Sequence, residues 1–209
     1  MKYIIYSTKT LLLIASLCLI GMQCATPKTA QQNPATQTAE LVKTLSSDAF
    51  EGRKPGSPGM EKTVSFMEHY LQTADIKPYF NGSYKDTVKV FNRESYNIVG
   101  VIKAAVPSDE FILIGAHWDH LGKTRFGPDS VYNGANDNAS GVATVLRMAN
   151  ELSKHKLQKN VLVALFTEEE SGLNGSEHLA KRLKTDSINL KYVLNYDMVG
   201  TRLYNKPGI

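Results

Sequence analysis

Four short groups of residues carry the types that bind divalent cations and move protons: His117 with Asp119 and His120, Asp137, the run Glu168 to Glu170, and Asp197. So many carboxylates brought near one another would repel, and several would have to take up protons. A bound cation is the simplest compensation. Histidine mixed with carboxylates favours zinc or a similar transition metal over calcium or magnesium. Such a metal serves hydrolysis, and the number of candidate carboxylates suits two ions sharing one of them. Taken singly, each group has a plainer reading. A His-x-Asp pair is common on surfaces, three consecutive glutamates usually form a solvated turn, and Asp137 and Ser140 suit the start of a helix. What sets them apart is where they fall.

Each group lies just past the end of an expected strand or just before an expected helix. Tyr96 to Lys103 and Phe111 to Gly115 are β-rich runs that read as two neighbouring strands. Val161 to Phe166 is apolar at every position, as a central strand covered on both faces would be, and Tyr192 to Asn195 is a shorter fourth strand. Met60, Val64, Met67 and Leu71 recur at helical spacing behind the turn residues 55–58, and further helices are expected over Ala139 to Ser153 and Ser176 to Leu183. The alternation predicts an α/β fold, a three-layer sandwich with a mostly parallel central sheet flanked by helices. Such sheets bind ligands at the carboxyl ends of their strands, where all four groups would converge.

The whole chain of 209 residues is 42% hydrophobic and 21% charged, within the ordinary range for one globular domain. A domain of this size buries roughly 70% of its unfolded surface, so it needs no metal as a staple. The net charge of +4 includes Lys2 and Lys9 at the N-terminus, and no basic stripe appears, which excludes a nucleic-acid partner. Residues 1–24 read as an export signal with an apolar run from Leu11 to Met22, shorter than the roughly 20 residues that span a bilayer. Both cysteines, Cys18 and Cys24, lie in this segment, so the body has neither a disulfide nor a thiolate metal site. Cys24 follows Gly21, Met22 and Gln23 as in a lipoprotein signal, which predicts an exported protein of the cell envelope or exterior, touching the membrane only through a lipid anchor at Cys24. Residues 25–38, without a large apolar side chain, are expected to be a flexible tether, with the domain proper at 39–209.

The segments Gly115-Ala-His-Trp-Asp-His-Leu-Gly122, Gly134-Ala-Asn-Asp-Asn-Ala-Ser-Gly141, Glu169-Glu-Ser-Gly-Leu-Asn-Gly-Ser176 and Asn195-Tyr-Asp-Met198 together resemble the ordered motifs of the secreted di-zinc aminopeptidases of the bacterial leucyl aminopeptidase type. The approach segment Leu45 to Ser57 is similar to that family as well. The resemblance implies a peptide substrate cleaved at its amino end and two zinc ions. His117 and Asp197 would hold one, Glu170 the other, and Asp137 would bridge them. It further implies Glu169 as the general base, Asp119 as the acid that orients His117, and a cis peptide between Asp137 and Asn138. Glu168 is left over and is assigned to solvent or the rim, and His120 receives no ligand role. Family members carry one more zinc-binding histidine downstream of Asp197, whereas no histidine follows His178. The expectation is therefore a domain incomplete at its C-terminus, with a second zinc site short of its histidine and little activity. A carboxypeptidase or glutaminyl cyclase-like enzyme on the same scaffold, and a non-catalytic binding domain, are the alternatives.

Overall fold

The computed structural model describes residues 33–201. Six strands, β1 (Lys77–Pro78), β2 (Lys85–Val90), β3 (Arg93–Ile102), β4 (Glu110–His117), β5 (Asn160–Phe166) and β6 (Asn189–Asn195), form one sheet in the order β1–β3–β5–β4–β6, with β2 also paired to β3. Strand β5 is buried at every position, as the unbroken apolar run from Val161 to Phe166 requires.

That same run corrects the expected strand order. The β3 and β4 segments are not neighbours, because β5 lies between them, pairing Val161 to Leu165 with β3 and Asn160 to Phe166 with β4. The strand most completely covered by side chains takes the centre. The sheet is also mixed, not mostly parallel. β4 runs parallel to β5 and β6, while β1, β2 and β5 all run antiparallel to β3. A two-residue connection, Phe91 and Asn92, joins β2 to β3, and so short a link can only join antiparallel strands.

Helices cover both faces, as the three-layer arrangement predicts. On one side α1 (Pro34–Leu45), α2 (Pro58–Thr73) and α3 (Gly141–Leu152) pack on Ile98, Ile114, Val163 and Leu165. On the other, α4 (Asn174–Thr185) sets Leu179 and Leu183 on Val99, Leu113, Leu162 and Phe166. Helix α2 has Pro58 in its first turn and Ser57 as its cap, the side chain accepting from the Met60 amide, and it buries Met60, Val64, Met67 and Leu71 as their spacing predicts. Helix α1 begins at Pro34, so the last five residues of the predicted tether are helical. Their side chains are small or polar and largely exposed, and it is Leu41 and Leu45 further on that dock the helix. The export signal and the rest of the tether lie outside the described residues. No helix among the described residues is long and apolar enough to cross a membrane.

Candidate metal centre

Strand β4 delivers His117 at its last position, and the chain stays in register beyond it because the Trp118 amide donates to the Phe166 carbonyl at 2.8 Å. The Trp118 side chain is fully buried and donates to the Tyr96 carbonyl at 3.0 Å, anchoring the turn that carries Asp119 and His120. Next door, the Tyr196 amide donates to the Gly115 carbonyl at 2.8 Å, which brings Asp197 alongside His117. Asp137 arrives on the segment Ala135–Ser140, a wide, irregular turn ahead of α3, and the bond from Asp137 to Asn138 is cis. The buried Asn138 side chain ties this turn to the end of β6: it donates to the Tyr196 carbonyl at 3.0 Å and accepts from the amides of Gly141 at 3.0 Å and Met198 at 3.1 Å.

His117 Nε2 lies 3.3 Å from Asp137 Oδ1 and 3.4 Å from Asp197 Oδ1. Two ligands each about 2.0 to 2.1 Å from a tetrahedral zinc stand about 3.3 Å apart, so this triad is already at zinc spacing. The other ring nitrogen faces away. Nδ1 is 3.2 Å from the Asp119 carbonyl oxygen and 3.6 Å from its Oδ1, so a proton on Nδ1 leaves the Nε2 lone pair for a cation. The expected role of Asp119 is thereby refined. Its backbone carbonyl is the nearer partner of the ring, while its carboxylate accepts from the amides of Glu169 at 3.1 Å and Glu170 at 3.4 Å, holding the glutamate loop against the histidine turn.

A second group shares Asp137. His120, Asp137 and Glu170 offer ligand atoms close enough to surround one cation, as do His117, Asp137 and Asp197. His120 Nδ1 is 2.7 Å from Glu170 Oε1 and 3.9 Å from Asp137 Oδ2. Asp137 thus presents one oxygen to each histidine. Imidazole and carboxylate without thiolate is a donor set that fits zinc.

The local field is negative. Burial works against a charged His117, yet Asp119, Glu169 and Asp197 outweigh it and raise its pKa to about 9. The proton so favoured occupies a place where a metal cation would be favoured too. Glu169 belongs to neither cation group. Burial, helped by Asp119, Glu170 and Asp197 and opposed by His117, raises its carboxyl above the ordinary value, the direction that suits a proton-accepting base near neutral pH. With His117 and Asp197 it borders a cleft of about 630 Å³ whose walls include Leu113, Phe166, Leu179 and Val193.

Glu168 is not at the rim. Its residue is fully buried, with a left-handed backbone at φ 56°, and its carboxylate takes two bonds from Arg93, at 2.7 Å from Nε and 2.5 Å from Nη2, and a third from the Ser171 hydroxyl. The sequence places three like residues in a row, but a tight turn sends the first inward and the next two toward the metal ligands. Arg53 is the other support missed from sequence. It is 1% exposed and donates to five carbonyls, those of Trp118, Leu45, Asn133, Gly134 and Asp137, at 2.7 to 3.3 Å. Burial lowers its pKa to about 10, with Asp119, Asp137 and Glu170 opposing the fall. No local pattern marks such a residue, because its partners come from three separate turns. His120 had a signal, its place directly after Asp119, though not one that distinguished ligand from lining.

The chain is similar to known metallopeptidases. The model of peptidase family M28 matches residues 97–206, more than half of the chain. A probable zinc metalloprotease of Pyrenophora tritici-repentis is 35% identical over 162 residues, covering 75% of this chain and 37% of its own length. The aminopeptidase YwaD of Bacillus subtilis is 35% identical over 116 residues, covering 53% of this chain and 23% of its own. A Zn-dependent exopeptidase from Parabacteroides distasonis shares the fold with a TM-score of 0.67 at 20% identity, over 80% of this chain and 62% of that one. The chain spans about a third of the length of the curated zinc metalloprotease relatives it matches first.

Proposed function

The chain belongs to peptidase family M28, and from that premise we propose that it hydrolyses peptides from the amino end, with His117, Asp137 and Asp197 holding one zinc ion and Asp137 and Glu170 a second. The observation that carries this reading is that Asp137 faces two histidine-carboxylate groups at once while Glu169 stands free beside them. When bound, zinc supplies a water acidified to a pKa of about 7 and a Lewis acid for the scissile carbonyl. Glu169 accepts the proton of the attacking water and returns it to the amine as the carbon–nitrogen bond breaks. Its raised pKa supports both halves of that exchange. Asp119 keeps Glu169 in place by accepting from its amide, and it also flanks the His117 ring.

The test is hydrolysis of an aminoacyl chromogenic substrate by the zinc-loaded chain and its Glu169→Gln variant. The variant should keep its zinc and lose activity by about 100-fold or more, the scale of a positioned base. Undiminished hydrolysis by the variant, or a chain that binds no zinc, would overturn the reading.

Export through residues 1–24, with lipid attachment at Cys24, completes the proposal and rests on the sequence of that segment. Expressed in a Gram-negative host, the chain should fractionate with membranes, and Cys24→Ser should release it. Fractionation unchanged by that substitution would remove the anchor.

A further inference from the structure

Resting on the zinc reading above, we propose that Arg53 is the positioning residue of the metal centre. Its guanidinium fixes the turn that carries Asp137 against the turn that carries His117, and so holds these two ligands at the spacing zinc requires. It acts through main-chain carbonyls, not as a ligand.

Each of the five guanidinium N–H groups has a carbonyl. Nε donates to Trp118, the residue after His117, at 2.9 Å, and the Arg53 carbonyl accepts from the His120 amide at 3.4 Å, so side chain and main chain both grip the histidine turn. Nη1 donates to Leu45, the last residue of α1, at 2.7 Å and to Asn133 at 2.8 Å. Nη2 donates to Gly134 at 2.8 Å and to Asp137 itself at 3.3 Å. Three of the bonds thus fall on residues 133–137, where no regular hydrogen-bond ladder fixes the chain: Asp137 and Asn138 have non-helical backbone angles. Asn138 ties this turn to the end of β6 and hence to Asp197. Arg53 ties it to the end of β4 and hence to His117, whose Nε2 then stands 3.3 Å from Asp137 Oδ1.

Stability alone is a poor reason for such a residue. A buried cation is costly to desolvate, and among the described residues no carboxylate pairs with this one directly. The acids that favour its charge, Asp119, Asp137 and Glu170, belong to the centre. The backbone that delivers it is left-handed at three consecutive residues, two of them not glycine: Glu51 at φ 51°, Gly52 at φ 64° and Arg53 at φ 50°. Conformations of this kind persist where the surroundings enforce them, and they gather at functional sites. An apolar side chain could fill the same space. What a planar fork of five donors adds is fixed directions to three separate segments at once.

Two measurements on the full chain decide the matter. Arg53→Lys keeps the charge but offers three donors from one point. Zinc binding is followed by competition with a chromophoric chelator for the unsubstituted chain, Arg53→Lys, His117→Ala and Leu71→Ala, the last a core truncation in α2 that controls for lost stability. Arg53→Lys should bind zinc about 10- to 100-fold more weakly, the scale for a partner that orients a ligand, while folded Leu71→Ala binds it as before. Cobalt bound in place of zinc should show altered visible bands in Arg53→Lys, because Asp137 is displaced. Unchanged zinc affinity, an unchanged cobalt spectrum, or an equal loss in Leu71→Ala would overturn the proposal. The second measurement uses the unsubstituted chain. Coupling is reciprocal, so zinc should slow exchange of the Arg53 guanidinium protons with water by about the same 10- to 100-fold, beyond any slowing at Arg182, whose guanidinium bonds to Asp86. Equal slowing at the two arginines would also overturn it. If Arg53→Lys does not fold, by circular dichroism and thermal melting, the exchange result decides alone. A chain that binds no zinc, or one in which His117→Ala costs no zinc, would instead sink the zinc-peptidase reading itself.

Discussion

Glu168 and Glu169 are adjacent and chemically alike, yet one is a buried strut and the other borders the cleft. Nothing in three consecutive glutamates says which is which. The partner that decides, Arg93, is 75 residues away, and the left-handed backbone at Glu168 that turns its side chain inward is a property of the folded loop. Histidine and aspartate positions were easier to read, because His117, Asp137 and Asp197 each fall where a strand or helix boundary must place them. The Arg93–Glu168 pair makes a prediction at this scale. Arg93→Ala leaves a buried carboxylate without its counter-ion. Breaking a fully buried pair costs about 3 to 5 kcal/mol, and since the Arg93 side chain is about a third open to water, about 2 to 3 kcal/mol is expected here. Urea unfolding measures it, and pairing the substitution with Glu168→Gln should recover part of the loss. Equal losses for the single and double variants would mean that the ion pair is not what holds the loop.

Among the elements, those with an uninterrupted period were legible and those with a polar residue facing inward were not. Helix α2 and strand β5 were readable from spacing alone. Strand β2 was not, since its inward-facing Asp86 breaks the apolar alternation. That carboxylate is buried among Asn97 from β3 and Arg182 and His178 from α4, which reach it at 3.0, 2.7 and 3.3 Å. The order of the strands was equally hidden: the chain shows that β3 and β4 are strands but not that β5 will insert between them. The irregular turn before α3 has its own requirement. Gly134 has φ 57°, and a Cβ there would lie 2.2 Å from the Asp137 carbonyl oxygen and 2.6 Å from Arg53 Nη2. A left-handed alanine costs about 1 to 2 kcal/mol by itself, and these clashes, one with backbone and one with a buried side chain, add to it. Gly134→Ala should therefore destabilise by more than that and weaken zinc binding as well, because the displaced segment carries Asp137. Thermal unfolding and zinc competition measured together would show it. A variant that melts normally and binds zinc normally would mean that the turn tolerates another path.

At the scale of the whole molecule, the sheet is finished differently at its two sides. Among the described residues β1 and β2 are what lies beyond β3, and β2 ties into α4 through Asp86 and Arg182. On the other side β6 pairs with β4 alone among the described residues, and Tyr192, Val193 and Leu194 are 65%, 56% and 46% exposed on a strand whose apolar sequence reads as interior. An unpaired edge carrying apolar side chains is a template for further pairing, and natural sheets usually blunt such an edge with charge, proline or a covering segment. In this chain taken alone the edge should drive concentration-dependent association and bind a hydrophobic dye. Replacing Tyr192 and Leu194 together by lysine should reduce both while leaving β4, β5 and the His117 triad in place, since neither side chain is in the core or among the candidate ligands. Sedimentation velocity across a concentration series, with zinc binding as the control for an intact centre, separates the outcomes. A chain that sediments as a monomer throughout and binds no dye would show that the edge is already covered in solution.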